Sequence, residues 1–342
     1  MNDLDILALG TITIDILLGV NSYPRLGSEA SGKTLHLRVG GSSTNTAVAG
    51  AMLGLRTGVA ATVGRDHLGE IAAEELAMCG VDTTALRRQD GVSTSVSAII
   101  VTPDDHRTMF SYLGASRCLG PADLPIACIH NARALHLTGY ALLNEPRRAA
   151  IRRAIELANE ARVPISLDPG VETCRRAADL VRSILPSMTF VLLDREEASF
   201  LVNTKDPKEI VTALQAQGVA WVGVKLGADG CWLAGPDGVD HNLPSFSVTV
   251  RDTTGAGDAF NAGVLFAYLN QLSPKAMTIM GNAMGALACT VWGIGRALPG
   301  QDALRELLEQ AMNAPQWTPW RATLEEALNA LATSGVPSDS LI

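Results

Sequence analysis

Short apolar, β-rich runs alternate with helical runs along most of this 342-residue chain. Residues 163–167, 189–193 and 219–224 have the character of strands, whereas residues 207–217 have the spacing of a helix. Strands that alternate with helices predict a mainly parallel sheet covered by helices on both faces. The sequence therefore indicates the α/β class.

Two segments break this alternation, because neither places a helix between its strand-like runs. They cover residues 11–39 and 93–114, and each contains a turn signal, at residues 24–27 and 103–106 respectively. We predict that they form a small separate sheet that lies over the main body as a lid.

The sequence GSEASGKT at residues 27–34 matches the P-loop pattern for nucleotide phosphates at every fixed position. A P-loop lies between a buried strand and a helix, because the first helix amides must point at the phosphates. Residues 34–39 instead alternate apolar and polar side chains until Gly40 and Gly41, which is typical of a half-buried strand. We predict that Lys33 lies on a lid strand and that the match is coincidental.

A later glycine-rich turn has the context that the first motif lacks. We predict a strand at residues 245–250, and Gly255 and Gly257 lie where helical spacing begins at Ala256. Such glycines leave room for a ligand, and the first amides of a helix bind anions. Asp258 would repel a phosphate here unless it accepts a proton from an attacking hydroxyl. This pattern predicts a kinase in which Asp258 is the general base.

This turn has two other interpretations. Dinucleotide binding is disfavoured because Phe260 replaces the third glycine and residues 259–301 contain no Asp or Glu to hold a ribose. Alternatively, Asp258 is only a favourable charge at the positive end of a helix dipole.

A second candidate site precedes a small-residue helix predicted at residues 46–53. Gly41 would let a polar ligand touch the backbone, and Asn45 offers both a donor and an acceptor. Asp15 interrupts an apolar lid strand and could accept two sugar hydroxyls. The structural alternatives are a plain strand-to-helix turn and an exposed strand edge.

Composition excludes several functional classes. A net charge of −8 disfavours a nucleic-acid surface, which needs basic clusters. The six cysteines form no C-x-x-C pair and indicate buried thiols in a reducing compartment. The uncharged stretch between Lys275 and Arg296 is rich in small residues and predicts a buried helix rather than a membrane span. With two acids in its first five residues and no secretory pattern, the chain is expected to be cytoplasmic.

These features together resemble the ribokinase-like (PfkB) family of carbohydrate kinases. Residues 40–54, GGSSTNTAVAGAMLG, are similar to its N-terminal signature, and residues 252–265, DTTGAGDAFNAGVL, match its C-terminal signature almost letter for letter. The resemblance implies a three-layer α/β sandwich with a mainly parallel central sheet and a small β-lid. We assign residues 1–314 to this kinase domain and residues 315–342, with a helix predicted at 322–333, to an extension without an assigned role.

The resemblance also implies an ATP-dependent transfer of the γ-phosphate to a hydroxyl of a sugar or sugar acid, with Mg²⁺ and, as in many members, K⁺. The residues that it implies are Asp258 with Gly255, Ala256 and Gly257 as the anion hole; Asp15, Gly41 and Asn45 for the sugar; Lys225, Gly227, Gly230 and Asn282 for ATP; Asp194 and Glu197 for Mg²⁺; and Asp252 and Thr254 for K⁺.

Two departures from the family pattern concern metal and substrate. Asp194 replaces the Asn of the family's N-x-x-E motif and adds a charge. Thr138 and Gly139 stand where ribokinases carry a sugar-binding glutamate, so this position is more similar to fructokinases and 2-keto-3-deoxygluconate kinases. A nucleoside kinase of the same family and a catalytically silent sugar- or nucleotide-binding sensor stay open as alternatives.

The lid also predicts an oligomeric state. A sheet of two to four strands is marginal alone and leaves one face and its edges uncovered. Since ribokinase-like enzymes often pair through their lids, we predict a two-fold symmetric homodimer in which the outward lid face, near Ile99 or Ile100, meets its copy.

Overall fold

The structure, a computed structural model, describes residues 3–102, 107–293 and 295–333. Its strands are β1 (Ile6–Leu9), β2 (Thr13–Val20), β3 (Gly32–Gly40), β4 (Thr57–Gly64), β5 (Leu86–Gln89), β6 (Val96–Val101), β7 (Arg107–Tyr112), β8 (Ala134–Thr138), β9 (Ile165–Asp168), β10 (Phe190–Asp194), β11 (Trp221–Lys225), β12 (Cys231–Ala234) and β13 (Asp240–Leu243).

The α-helices of the described residues lie between these strands and after them. They are α1 (Ser42–Met52), α2 (His67–Met78), α3 (Ile126–Asn131), α4 (Arg147–Glu160), α5 (Val171–Ile184), α6 (Arg195–Val202), α7 (Pro207–Gln215), α8 (Ala256–Leu269), α9 (Pro274–Ala288), α10 (Gln301–Met312) and α11 (Arg321–Thr333).

Nine strands form the central sheet in the order β13-β12-β11-β10-β9-β8-β1-β4-β5. The pairs from β11 to β5 are parallel, and only the two pairs made by β12 are antiparallel. The predicted α/β class and its mainly parallel sheet are confirmed.

Helices cover both faces of this sheet, and alternate strand residues point to different cores. Phe190 and Leu192 of β10 pack with α1, α2 and α8 to α11, whereas Val191 and Leu193 pack with α3 to α7. A strand that is buried on both faces has a continuous apolar sequence, which is why apolar and polar residues do not alternate in β10.

The lid is a four-stranded sheet in the order β3-β2-β6-β7, built from the two predicted segments. Gly32 to Gly40 form β3, so Lys33 lies on an exposed strand of the lid and not at the start of a helix. The predicted turn at residues 103–106 lies outside the described residues.

One predicted strand was wrong. Residues 245–250 pair with no strand and instead continue from the edge strand β13 as an irregular segment. Pro244 has no N–H to donate to a ladder, and the ring of Phe246 stacks on Trp317 at 4.2 Å between centroids. The apolar pattern of this segment thus reflects side-chain packing.

The segment after residue 314 packs into the main body. Trp317 and Leu324 are buried with the core that contains α8 and α9, and the predicted C-terminal helix is present as α11. Residues 334–342 lie outside the described residues.

Most of the uncharged stretch after Lys275 lies in α9, and most residues of this helix are buried beside α8, as predicted. Among the described residues, no helix has the length and apolar character needed to cross a membrane.

Candidate active site

Four adjacent parallel strands end in polar side chains at one edge of the sheet. Thr138 of β8 lies in register with Asp168 of β9, and Asp194 of β10 lies in register with Lys225 of β11. Ligands of open α/β sheets bind at the carboxyl ends of the strands. The edge therefore places two carboxylates and an ammonium side by side in a crevice.

The glycine turn of residues 255–257 faces this crevice at the beginning of α8. Gly255 precedes the helix with φ of 76°, a left-handed conformation that a residue with a Cβ adopts only with strain. As in every helix, the first amides of α8, which follow this turn, lack partners within the helix. Gly255, Ala256 and Gly257 all line the crevice, which fits an anion site.

Asp258 lies in the first turn of α8 and is held by the N-terminal signature. The Ser42 hydroxyl donates to its Oδ1 at 2.5 Å, and the Asn45 amide donates to its Oδ2 at 2.8 Å. Burial and the negative charge of Asp168 raise the pKa of Asp258 to about 7, although these two hydrogen bonds oppose the rise. A carboxylate with this pKa is suited to accept a proton near neutral pH.

Lys225 forms a buried ion pair beside the turn. Its Nζ donates to Asp168 Oδ2 at 2.8 Å and to Asn261 Oδ1 at 3.3 Å, and the Asn261 amide donates to the same Asp168 oxygen at 2.8 Å. Burial alone would lower the pKa of Lys225, but the carboxylates of Asp168 and Glu197 outweigh it and raise that pKa. Lys225 therefore stays charged.

A cavity of 850 Å³ joins these groups, and its size fits a nucleotide and part of a second substrate. Residues 245–250 form one wall, so the segment wrongly predicted as a strand supplies apolar surface to the site. The predicted residues that line this cavity are Gly255, Ala256, Gly257, Asp258, Lys225, Gly227, Gly230, Asn282, Asp194 and Glu197.

Three of the lining residues have clear structural reasons for their identity. Gly230 has φ of 93°, and a Cβ there would lie 1.9 Å from the Leu243 carbonyl oxygen, so only glycine fits. The Asn282 amide donates to the Pro244 carbonyl at 2.8 Å and thereby fixes the segment that forms the cavity wall. Gly227, with φ of 60°, makes the turn after β11.

Asp194 and Glu197 make a capping box at the start of α6. The Asp194 carboxylate accepts from the Glu197 amide at 2.8 Å, and the Glu197 carboxylate accepts from the Asp194 amide at 2.9 Å. Burial and the charge of Asp168 raise the pKa of Glu197 to about 8. No group of three or more His, Cys, Asp or Glu in the described part of the chain could hold a metal ion by itself.

The predicted sugar residues lie at the base of the lid, next to the cavity. The Thr13 hydroxyl donates to Asp15 at 2.8 Å, and burial raises the pKa of Asp15. A Cβ on Gly40 would lie 2.1 Å from the Asp15 carboxylate, and one on Gly41 would lie 2.3 Å from a backbone oxygen. Asp15, Gly41 and Asn45 do not line the cavity. Asn45 is connected to it by its hydrogen bond to Asp258, which does line the cavity.

Asp252 connects two loops beside the turn. Its carboxylate accepts from the amide of Thr254 at 2.8 Å and from the amide of Gly293 at 2.9 Å. This buried side chain thus joins the glycine turn to the loop after α9, the two segments that the family resemblance relates to K⁺.

Three residues of the site, Ser42, Asp168 and Asn261, were not predicted from the sequence. A signal existed for Asp168, since it follows a buried strand at the edge where the other site residues lie. Asn261 is a polar residue among buried apolar positions of α8, a pattern that also indicates a partner inside the protein. Ser42 was within the quoted N-terminal signature, but its bond to Asp258 depends on the packing of α1 against α8.

Comparison with known proteins identifies the family of this chain. Residues 3–300 match the family described as pfkB family carbohydrate kinase. The chain belongs to this family. It is therefore a carbohydrate kinase, a phosphotransferase with an alcohol group as acceptor, and the family resemblance noted in the sequence is confirmed.

Individual relatives cover most of the chain. It is 32% identical to the ATP-dependent ribose-1-phosphate kinase of Halopiger xanaduensis, over 89% of this chain and 98% of that protein. It is 29% identical to the 2-dehydro-3-deoxygluconokinase of Thermoproteus tenax, over 79% and 85%. The structure of Arabidopsis thaliana ribokinase complexed with ribose and ATP superposes with a TM-score of 0.77 at 24% identity, over 90% of this chain and 99% of that one. The ribokinase-like fold predicted from sequence is confirmed.

Proposed function

We propose that this carbohydrate kinase transfers the γ-phosphate of ATP to a hydroxyl of a sugar or sugar acid, with Asp258 as the general base. The observation that carries the proposal is the position of Asp258 in the first turn of α8, beside the glycine turn and inside the cavity. The backbone amides there stabilise negative charge on the transferred group.

The chemical step needs little more than position and charge. The sugar oxygen forms a bond to the γ-phosphorus while the bond to the bridging oxygen breaks, and ADP leaves with that electron pair. The hydroxyl proton passes to Asp258. Ser42 and Asn45 hold the carboxylate with one hydrogen bond to each oxygen, so that its direction is fixed before the sugar arrives.

The sugar lies, in this proposal, between Asp258 and the base of the lid. Asp15 offers two acceptor oxygens for sugar hydroxyls, and Gly41 and Asn45 approach from the start of α1. Thr138 carries no negative charge at the end of β8, which leaves this wall able to accept a neutral or an acidic sugar. The names of two relatives, a probable fructokinase and a 2-dehydro-3-deoxygluconokinase, state a neutral sugar and a sugar acid respectively.

ATP extends, in this proposal, from the glycine turn along the wall formed by residues 245–250, with Gly227, Gly230 and Asn282 around it. Mg²⁺ prefers to keep several waters and to bind through phosphates with one or two carboxylates, so Asp194 and Glu197 suffice as its protein partners. Bound Mg²⁺ would neutralise phosphate charge. K⁺ would lie near Asp252 and Thr254, where two loops are joined.

A substrate panel tests the assignment. Sugars, keto-deoxy sugar acids and nucleosides are each supplied with ATP and Mg²⁺, with and without K⁺, and ADP release is measured. We expect turnover with at least one sugar or sugar acid. Turnover with nucleosides alone would favour the nucleoside kinase, and binding without turnover of any acceptor would favour the silent sensor.

The P-loop match in the lid gives a prediction about ATP. Lys33 is exposed on β3 and does not line the cavity, so Lys33→Ala should leave the KM for ATP within about fivefold of the wild-type value. Steady-state kinetics measures this, with Lys205→Ala as a control at another exposed lysine. A large rise of KM in the Lys33 variant alone would restore the P-loop interpretation.

We also propose a homodimer through the lid, because one face of the lid sheet is apolar. Pairing across the four strands places Leu37, Ile16, Ala98 and Phe110 on one face, whereas Asp15 lies on the other face with polar partners. Leu37 and Phe110 are 48% and 57% exposed. Exposed apolar surface of this kind is typical of an interface, and a second lid would cover it.

A charge on this face should separate the subunits. Leu35 lies on the apolar face and is 61% exposed, so Leu35→Asp should convert a species of roughly twice 36.0 kDa into a monomer in sedimentation. Thr34→Asp, on the opposite face of the same strand, is the control and should leave the dimer intact. Ile99 is unsuitable because it is buried. A wild-type monomer would refute the dimer without affecting the kinase.

A further inference from the structure

The ammonium of Lys225 lies near Gly257 of the glycine turn. A Cβ built on Gly257 would be 3.2 Å from Lys225 Nζ, so the ammonium lies close to the space that a side chain at this position would take. Few real Cβ atoms approach a neighbour this closely, so a residue larger than glycine would require the ammonium to shift by a few tenths of an ångström. The glycine turn at the start of α8 and the ammonium thus line the same cavity.

The position of this ammonium is fixed by two neighbours. Asp168 and Asn261 accept from it, and the Asn261 amide also donates to Asp168, so the three side chains form a closed triangle. Both members of the ion pair are largely buried, with side chains 15% and 10% exposed. An ammonium has three N–H donors, and these contacts use two of them.

The charges that line the cavity suggest a role for the Lys225 ammonium. Asp168, Asp194, Glu197 and Asp258 line the cavity, and Lys225 is the sole Lys or Arg among the described residues that line it. ATP would add further negative charge to these carboxylates. A buried ion pair gives little net stability compared with apolar packing, so a solely structural role explains this pair poorly.

We propose that Lys225 contacts the phosphoryl group during its transfer from ATP to the sugar, and that Asp168 and Asn261 are positioning residues for its ammonium. This inference rests on the proposed kinase function. Lys225 donates its third N–H to an oxygen of the transferred group and gives up no proton; the hydroxyl proton still goes to Asp258. A preorganised cation acts most strongly where charge develops in the transition state.

Replacement of Lys225 tests the role in catalysis against a role in ATP binding. Lys225→Met should lower kcat by at least about 100-fold, as the loss of an oxyanion donor does, while the Kd for ATP, measured by calorimetry, changes by less than about fivefold. A rise in KM with an unchanged kcat would overturn the inference, because it would assign Lys225 to uniform binding of ATP.

Three further variants separate catalysis from folding. Lys225→Ala should regain part of its kcat when methylammonium is added, a response that a structural role would not produce. Asp168→Asn should lower kcat with little change in KM, and combining it with Lys225→Met should add little, because the two residues act as one unit. The double variant removes both members of the ion pair, so neither is left without the other, and its fold can be checked if either single variant fails to fold.

The outcomes distinguish this inference from the proposed function. If the wild-type enzyme phosphorylates a sugar but Lys225→Met, correctly folded, keeps kcat within about fivefold and Lys225→Ala does not respond to methylammonium, the role of Lys225 is refuted and the kinase stands. If the wild-type enzyme phosphorylates none of the panel, the proposed function itself fails.

Discussion

Asp258→Asn should lower kcat by at least about 100-fold, the lower range for the loss of a general base. The amide is nearly the same size as the carboxylate, and Asn45 can turn its own amide to keep a hydrogen bond, so the cavity should retain its shape. ATP binding should therefore persist in calorimetry while turnover is lost. The expected signature is a fall in kcat without a matching loss of affinity.

A matched control separates this role from an effect on the helix dipole. Asp302 lies in the first turn of α10, is exposed, and is outside the cavity. If Asp258 only favours its helix through the dipole, Asp258→Asn and Asp302→Asn should both leave kcat almost unchanged. Near-normal turnover in the Asp258 variant would remove the proposed mechanism.

The fold was largely predictable because its elements have local signals. Buried parallel strands such as β10 appear as short apolar runs, and glycine turns such as residues 255–257 mark a helix start. The strand predicted at residues 245–250 was wrong, because alternating apolar side chains also occur in an irregular segment that packs against a neighbour. The partner there, Trp317, is far away in sequence and could not be identified from spacing.

The site was predictable only in part, for a related reason. Gly255 and Asp258 are three residues apart, so the sequence alone shows that they lie close together. Asp168, Lys225 and Asn261 come from β9, β11 and α8 and meet only when the sheet is assembled. Lys225 was found through the resemblance, but its burial and its two partners depend on distances that no local pattern encodes.

The same carboxylate that serves catalysis should also limit the stability of the protein. Burial and the charge of Asp168 raise the pKa of Asp258 from 3.8 to about 7. Between about pH 4 and pH 7, Asp258 is therefore protonated in the folded state but ionised in the unfolded state. The contribution of this group to stability is complete below its unfolded pKa and is lost as the pH rises through the folded one.

Asp258→Asn should therefore be more stable than the wild-type protein at pH 8 and about equally stable at pH 4. A rise of the pKa from 3.8 to about 7 corresponds to on the order of 4 kcal/mol in the free energy of unfolding above pH 7. Denaturant titrations of both proteins at the two pH values measure the difference, with Asp302→Asn as the baseline for an exposed first-turn acid. An equal free energy of unfolding at pH 8 would show that the ionised Asp258 is not destabilising. A gain at pH 8 together with lost turnover would show that the active site keeps a buried charge for catalysis at the expense of stability.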